Sequence, residues 1–264
     1  MEEAIRFVEG NDELARALGV EGPEELAVRP LAQGEHNANF LLRAGDGRRF
    51  VLRINCASQL GLADQIGYEY GALRVLAPSG RTPEPLYVDG TRRRIGRGVL
   101  VESFVEGQWI DLRDPRQVRE AARALADVHS VAAPPDGALL RPEDPLRAQL
   151  ESCRRLFDGY RGSDLAEARV VGAVDELLAL AQRAVDAAPA ASTPERSHVL
   201  NTEAVPSHFL IDAAGRASIV DWEKPVLGEV AQDVAYFLSP TTTIWDSDVV
   251  FDAEGRTQFL DAYW

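Results

Sequence analysis

The sequence predicts an α+β fold of two lobes. An N-terminal antiparallel sheet with one principal helix occupies residues 1–104, and a larger, mostly helical lobe occupies 105–264. Three observations carry this. Short apolar runs with period-two alternation crowd the first hundred residues. Val105-Glu106-Gly107 then breaks the alternation, and helical periodicity dominates beyond it. Lastly, a small strand cluster, Phe209-Leu210-Ile211 and Ala217-Ser218-Ile219-Val220, is lodged among the later helices.

Each element has a local reason. Residues 1–20 read as short amphipathic helical turns. Leu26–Leu31 is a strand running into the polar loop Gln33–Asn39, and Phe40–Arg43 is a second strand. Ala44-Gly45-Asp46-Gly47 turns it back into Arg49–Ile54, since Asp-Gly is a strong hairpin signal. A helix from Leu62 to Ala77 places Ile66, Leu73 and Leu76 at helical spacing, and Ser79–Pro83 ends it. Pro85–Val88 and Gly98–Phe104 complete the sheet, with a hinge at about 102–107. Helices follow at Pro115–Val131, Glu167–Ala187 and Val230–Leu238, with a loop at Ala188–Arg196 and a short strand at Val199-Leu200.

Composition narrows the function. The chain has 264 residues, 45% of them hydrophobic and 27% charged, which is ordinary globular usage. No apolar run approaches the ~20 residues of a membrane span. The acidic start Met1-Glu2-Glu3 lacks a secretory pattern, and only two cysteines occur, so the expected compartment is the cytoplasm and both cysteines are expected to serve as packing groups. A net charge of −14 disfavours phosphate backbones and nucleic-acid binding, and suits a cationic small molecule.

The segment with the most chemistry is Val199-Leu200-Asn201-Thr202-Glu203-Ala204-Val205-Pro206-Ser207-His208-Phe209-Leu210, followed by Ile219-Val220-Asp221-Trp222-Glu223-Lys224-Pro225. Gly228–Leu238 reads Gly-Glu-Val-Ala-Gln-Asp-Val-Ala-Tyr-Phe-Leu, and Ala124–Ser130 ends in Val128-His129-Ser130. Upstream stand Gly34-Glu35-His36-Asn37-Ala38-Asn39, the strand Val51-Leu52-Arg53-Ile54, and Tyr68-Glu69-Tyr70. In this order, from about Leu31 to Leu238, the segments resemble the aminoglycoside phosphotransferase and choline kinase-like family. That family has a bilobal protein-kinase-like fold, a loop of the form H-G-D-x-x-P-x-N-x-L, and a metal strand I-D-W-E.

The resemblance implies transfer of the γ-phosphate of ATP or GTP to a hydroxyl of a small molecule. It implies magnesium as the ion, with manganese as the alternative. Such a transfer needs a cation on the phosphates, oxygens on the metal, and one carboxylate on the attacking hydroxyl. By position, Arg53 would grip the phosphates and pair with Glu69. Gly34, Asn37 and Asn39 would form the phosphate loop, and Glu102–Phe104 would bond the base through their backbone. Glu203 falls at the catalytic carboxylate, Asp221 at the metal Asp, and His208 at the metal Asn. Asp233 would prop the catalytic loop, His129 would serve as buried support, and Ser239–Asp246 would line the acceptor pocket. Relatives continue with further helices past the segment matching Phe259–Trp264.

Two positions depart from the pattern. Glu203 lengthens the catalytic arm by one methylene, a change of about 1 Å that costs ~10²-fold if uncompensated. His208 offers an imidazole where magnesium prefers oxygen, and imidazole suits manganese or zinc better. The alternative expectation is therefore a pseudokinase or a small-molecule-binding protein with no turnover.

Overall fold

The computed structural model describes residues 1–34, 36–58, 60–134, 137–188 and 197–264. Glu35 of the expected phosphate loop and positions 189–196 of the expected 188–196 loop lie outside the described residues, as do the side chains of Trp245 and Asp246. The chain opens with α1 (Glu2–Val8) and α2 (Asp12–Leu18), and then enters the sheet at β1 (Ala27–Gln33), β2 (Asn37–Arg43) and β3 (Arg49–Asn55). After α3 (Gln65–Leu76) come β4 (Pro85–Asp89) and β5 (Val99–Ser103). All five strands form one antiparallel sheet in the order β1-β2-β3-β5-β4.

Strand periodicity sorts the side chains between two cores. Leu52 and Ile54 of β3, with Val99 and Val101 of β5, join Phe40, Leu42 and the helices α1 and α2 in one buried cluster. The alternate positions face the other way. Leu100 belongs to a second cluster with Ile66, Leu73 and Leu76 of α3 and with the apolar residues of the C-terminal part. Arg53 and Glu102 share that second face, and both are buried. The register sets Asn39 directly opposite Arg53, and Asn37 opposite Asn55.

Past the sheet, β6 (Gln108–Trp109) pairs with β8 (Phe209–Ile211), which pairs in turn with β9 (Ala217–Ile219). Gly107 enters this sheet so closely that a Cβ there would lie 3.0 Å from the Ile211 carbonyl oxygen, so any larger residue would have to push that backbone aside. The helices are α4 (Pro115–His129), α5 (Pro145–Arg161) and α6 (Ala168–Ala187). Then β7 (His198–Leu200) pairs with β10 (Val226–Gly228), followed by α7 (Ala231–Leu238), α8 (Pro240–Asp246) and α9 (Ala253–Tyr263). α4 crosses α9 over the second core, where Phe237 stacks on Phe259 with ring centroids 4.8 Å apart.

The structure adds elements and corrects one reading. α5 was not expected because only Leu150 and Phe157 are buried along it, so it lacks a full apolar stripe. α8 occupies the stretch expected to line the acceptor pocket, with Pro240 at its first turn. The cysteines are exposed rather than packed. Cys56 instead accepts from Arg97 Nη1 at 2.9 Å.

Candidate active site

The site is built around Arg53, which is 5% exposed. Its Nη2 donates to Asp221 Oδ1 at 2.7 Å, and it lies 3.6 Å from Glu223 Oε2. Its Nε faces Glu69 Oε1 at 3.0 Å, where charge rather than hydrogen-bond geometry joins them. Thus β3, α3 and the segment after β9 meet at one guanidinium. α3 is held against that segment by more than Glu69. Gln65 donates to the Glu223 carbonyl, Tyr68 Oη donates to the Pro225 carbonyl, and Tyr68 Oη accepts from the Leu140 amide at 3.1 Å.

The electrostatics follow from burial in a field of like charges. Burial pushes the Glu69 carboxyl up to about 8, against the pull of Arg53. Burial likewise pushes Glu102 up to about 7. Burial also works to raise Asp221, but Arg53, His208 and Lys224 outweigh it and hold that carboxyl below its usual range. Glu223 is raised by burial and by the neighbouring Asp221. Arg53 keeps its charge because Glu69, Asp221 and Glu102 overcome its own burial. Asp221 therefore carries the fixed negative charge of the site.

The loop before β8 is shaped by Asp233. That fully buried carboxylate accepts from the amides of Asn201 at 2.7 Å and Thr202 at 2.8 Å, and meets His129 Nε2 at 3.1 Å. His129 in turn meets Tyr263 Oη at 2.7 Å. Thr202 and Asp221 have φ of 68° and 64°, a region that Asp tolerates but a β-branched residue such as Thr enters only when held. Thr202 is held by Asp233 and by its own hydroxyl, which donates to the Lys224 carbonyl at 3.0 Å. Asp221 is held by Asn201 Nδ2, which donates to its carbonyl at 3.0 Å. The Asn201 side chain also accepts from the Glu203 amide at 3.1 Å, so one amide group sets both acidic residues.

Glu203 pairs with Lys224, whose Nζ lies 2.5 Å from Oε1. His208 Nε2 faces Asp221 Oδ2 across 3.6 Å, beyond hydrogen-bonding distance, and its buried Nδ1 has no hydrogen-bond partner among the described residues. Among the described residues, no group of three or more His, Cys, Asp or Glu side chains is arranged to hold a metal ion. An Asp oxygen and an imidazole nitrogen facing one gap without a bond between them fit manganese better than magnesium, which prefers oxygen alone.

The expected phosphate loop has a different arrangement. Gly34 closes it, its amide donating to the Asn37 carbonyl at 2.9 Å. Asn37, buried at 2% exposure, donates through Nδ2 to Glu223 Oε2 at 2.6 Å and accepts from Asn55 Nδ2 at 3.2 Å. Asn39 shares the face of Arg53, with its buried Oδ1 unpaired among the described residues. At the hinge, Glu102 turns its carboxyl into the site. The Ser103 and Phe104 amides already donate to Glu84 and Arg49 carbonyls, at 2.9 and 3.3 Å. A base at this segment would thus have carbonyls, not these two amides, to meet.

Glu223, Lys224 and Tyr236 were not singled out by sequence reasoning. Glu223 stood in the Asp221-Trp222-Glu223 motif, but the segment is no strand and Asp221 has a positive φ, so no periodicity pointed to it. Tyr236 lines a cavity of about 980 Å³ formed by α5, the end of α6, α7 and α8, with Asp144, Arg147, Asp186, Glu229 and Thr242 on its walls. Burial raises the Tyr236 hydroxyl, and the charge of Glu203 raises it further. Of the expected acceptor-lining stretch, Ser239, Thr241 and Thr242 reach this cavity.

A profile described as the phosphotransferase enzyme family matches residues 27–264. A homoserine kinase of Rhizobium meliloti (strain 1021) is 33% identical over 127 residues, which are 45% of this chain and 37% of that protein. The aligned stretch thus spans little more than a third of the curated relative's length. Among solved structures, a choline kinase of Cryptosporidium parvum Iowa II superposes with TM-score 0.69 at 13% identity, covering 97% of this chain and 78% of that one. The macrolide 2'-phosphotransferase MphH of Brachybacterium faecium superposes with TM-score 0.60 at 17% identity, covering 95% and 80%. At such identities the likeness shows the fold, which is protein-kinase-like.

Proposed function

Because the chain belongs to the phosphotransferase enzyme family, we propose that it transfers the γ-phosphate of ATP or GTP to a hydroxyl of a small molecule. The single observation that carries this reading is the contact of Arg53 with Asp221 at 2.7 Å, across 168 positions of sequence. It joins the strand cation to the loop carboxylate beneath the hinge. Residues 1–104 would supply the nucleotide side, and 105–264 the catalytic loop and acceptor side.

In this reading Arg53, steadied by Glu69, lies against the donor's phosphates, and Asn37 and Asn39 line the same face. Asp221 and His208 would hold magnesium or manganese, which supplies charge neutralisation on the phosphates when bound. Glu203 receives or orients the acceptor hydroxyl through the oxygen not held by Lys224. The acceptor occupies the cavity beside Tyr236. Asp144, Asp186 and Glu229 against Arg147 on its lining support a cationic acceptor. The named relatives act on homoserine, choline and macrolides, so the acceptor class remains that of small hydroxyl compounds. No helix among the described residues is long and apolar enough to cross a membrane.

The test is thermal stability with ATP or GTP, each with magnesium or manganese. Nucleotide at 100 times its Kd adds ~2.7 kcal/mol, a rise of several degrees for a chain of this size. The rise should vanish in Asp221→Ala. No rise with any nucleotide and ion would end the phosphotransfer reading.

The Lys224–Glu203 pair favours a second reading, ligand binding without turnover, because one oxygen of that carboxylate is already engaged by Lys224. His208→Asn separates the two. A large gain in nucleotide hydrolysis or transfer marks His208 as a block, whereas loss of activity marks it as part of a retuned metal site.

A further inference from the structure

α6 is a 20-residue helix with no buried residue, and it carries two apolar stripes. Val171, Val174, Leu178, Ala181 and Val185 are half-buried against α5. A second stripe, Val170, Ala173, Leu177, Leu180, Ala184 and Ala187, is exposed, with Leu177 at 62% and Leu180 at 55%. Its spacing of 3, 4, 3, 4 and 3 residues is that of a coiled-coil seam. At 100° per residue the two stripes lie roughly 120° apart, so a second helix can lie on α6 without displacing α5.

The occupant is written in the pattern itself. Run antiparallel against its own copy, the stripe sets Leu177 against Leu180 of the partner subunit. Alanines close the seam on either side, at 173 against 184 and at 170 against 187. Along the flank turned away from α5 stand Glu176 and Arg183, seven residues apart. The other central charges of α6 are engaged, Asp175 by Arg161 and Asp186 by Gln182. In the antiparallel register Glu176 meets Arg183 of the partner subunit, twice by symmetry. In a parallel register Glu176 would meet Ala181, with no charge to complement it.

We propose that α6 is a homodimer interface in which two copies pair antiparallel through the Leu177–Leu180 seam, with Glu176 and Arg183 setting the register. The end of α6 also walls the cavity beside Tyr236, so pairing would stiffen that wall.

Sedimentation velocity of the full-length protein, across the micromolar range, tests this. A dimer is expected, and Leu177→Glu with Leu180→Glu should give a monomer with unchanged circular dichroism. Glu176→Arg and Arg183→Glu should each weaken association roughly tenfold, and the double exchange should restore it. A monomer at every concentration overturns the proposal, including one destabilised by the leucine changes, which would mean that another part of the same polypeptide covers the stripe. So does a dimer indifferent to the leucine changes, or a double exchange that fails to restore pairing.

Discussion

At the scale of single residues, Arg53 is the side chain on which the site depends. Removing it strands Asp221 and Glu69 without their cation, and Arg53→Met should destabilise the fold by about 3 kcal/mol or more in urea melts. Arg53→Met with Glu69→Met should recover much of that loss yet show no nucleotide-induced stabilisation, which separates folding from binding. Glu69 and Glu102 predict a pH slope. Their carboxyls are raised from 4.5 to about 8 and about 7 in the fold, so the folded chain holds these protons longer than the unfolded one. Their contribution is complete below about pH 4.5 and is lost as pH rises through 7 and 8. Glu102→Gln should flatten that slope up to about pH 7 and leave the stretch from 7 to 8, which belongs to Glu69, in melts taken from pH 5 to 9, and an unchanged slope below pH 7 would refute the assignment. The residues of the site were legible where chemistry dictates type, as at Arg53, Glu69, Asp221 and Glu203. Lys224 on Glu203 was not, because an ion pair between neighbouring loops leaves no periodicity to read.

Among the elements, the least tolerant junction is the entry to β6. Gly107→Val should cost a few kcal/mol in equilibrium unfolding, since every added atom meets the Ile211 carbonyl or Leu210. Asp233 matters equally for the loop before β8. Asp233→Ala leaves two buried amides and His129 without their acceptor, and should cost about 3 kcal/mol or more. The strands of the sheet were legible because alternation and an Asp-Gly turn specify them locally. The two-residue β6 and three-residue β10 were not, since so short a run carries no pattern. α5 was hidden by its many charged residues, although Asp144 followed by Pro145 is a start signal in plain view.

In the whole molecule one of the two apolar clusters crosses the hinge, because α3 and Leu100 belong to the core of the C-terminal part, while the other stays within the sheet and α1–α2. Arg81 reinforces that continuity. Buried at 6% exposure just past α3, it reaches Asp127 and Glu120 of α4 at 2.7 Å and the Ala217 carbonyl at 3.0 Å, while its own carbonyl accepts from the Ile219 amide at 2.7 Å. Arg81→Leu should therefore lower the melting temperature of the entire chain in one transition rather than loosen one half. The α5–α6 hairpin is the exception to this continuity. It buries little beyond Leu150 and Phe157, so it can open without the rest. In the monomer its amides should exchange with deuterium well before those of α4, and a protease acting briefly on dilute native protein should cut there first, whereas pairing through α6 would slow both. In a cell, degradation of this protein would then begin at the hairpin, and its lifetime would follow that local opening rather than the stability of the core.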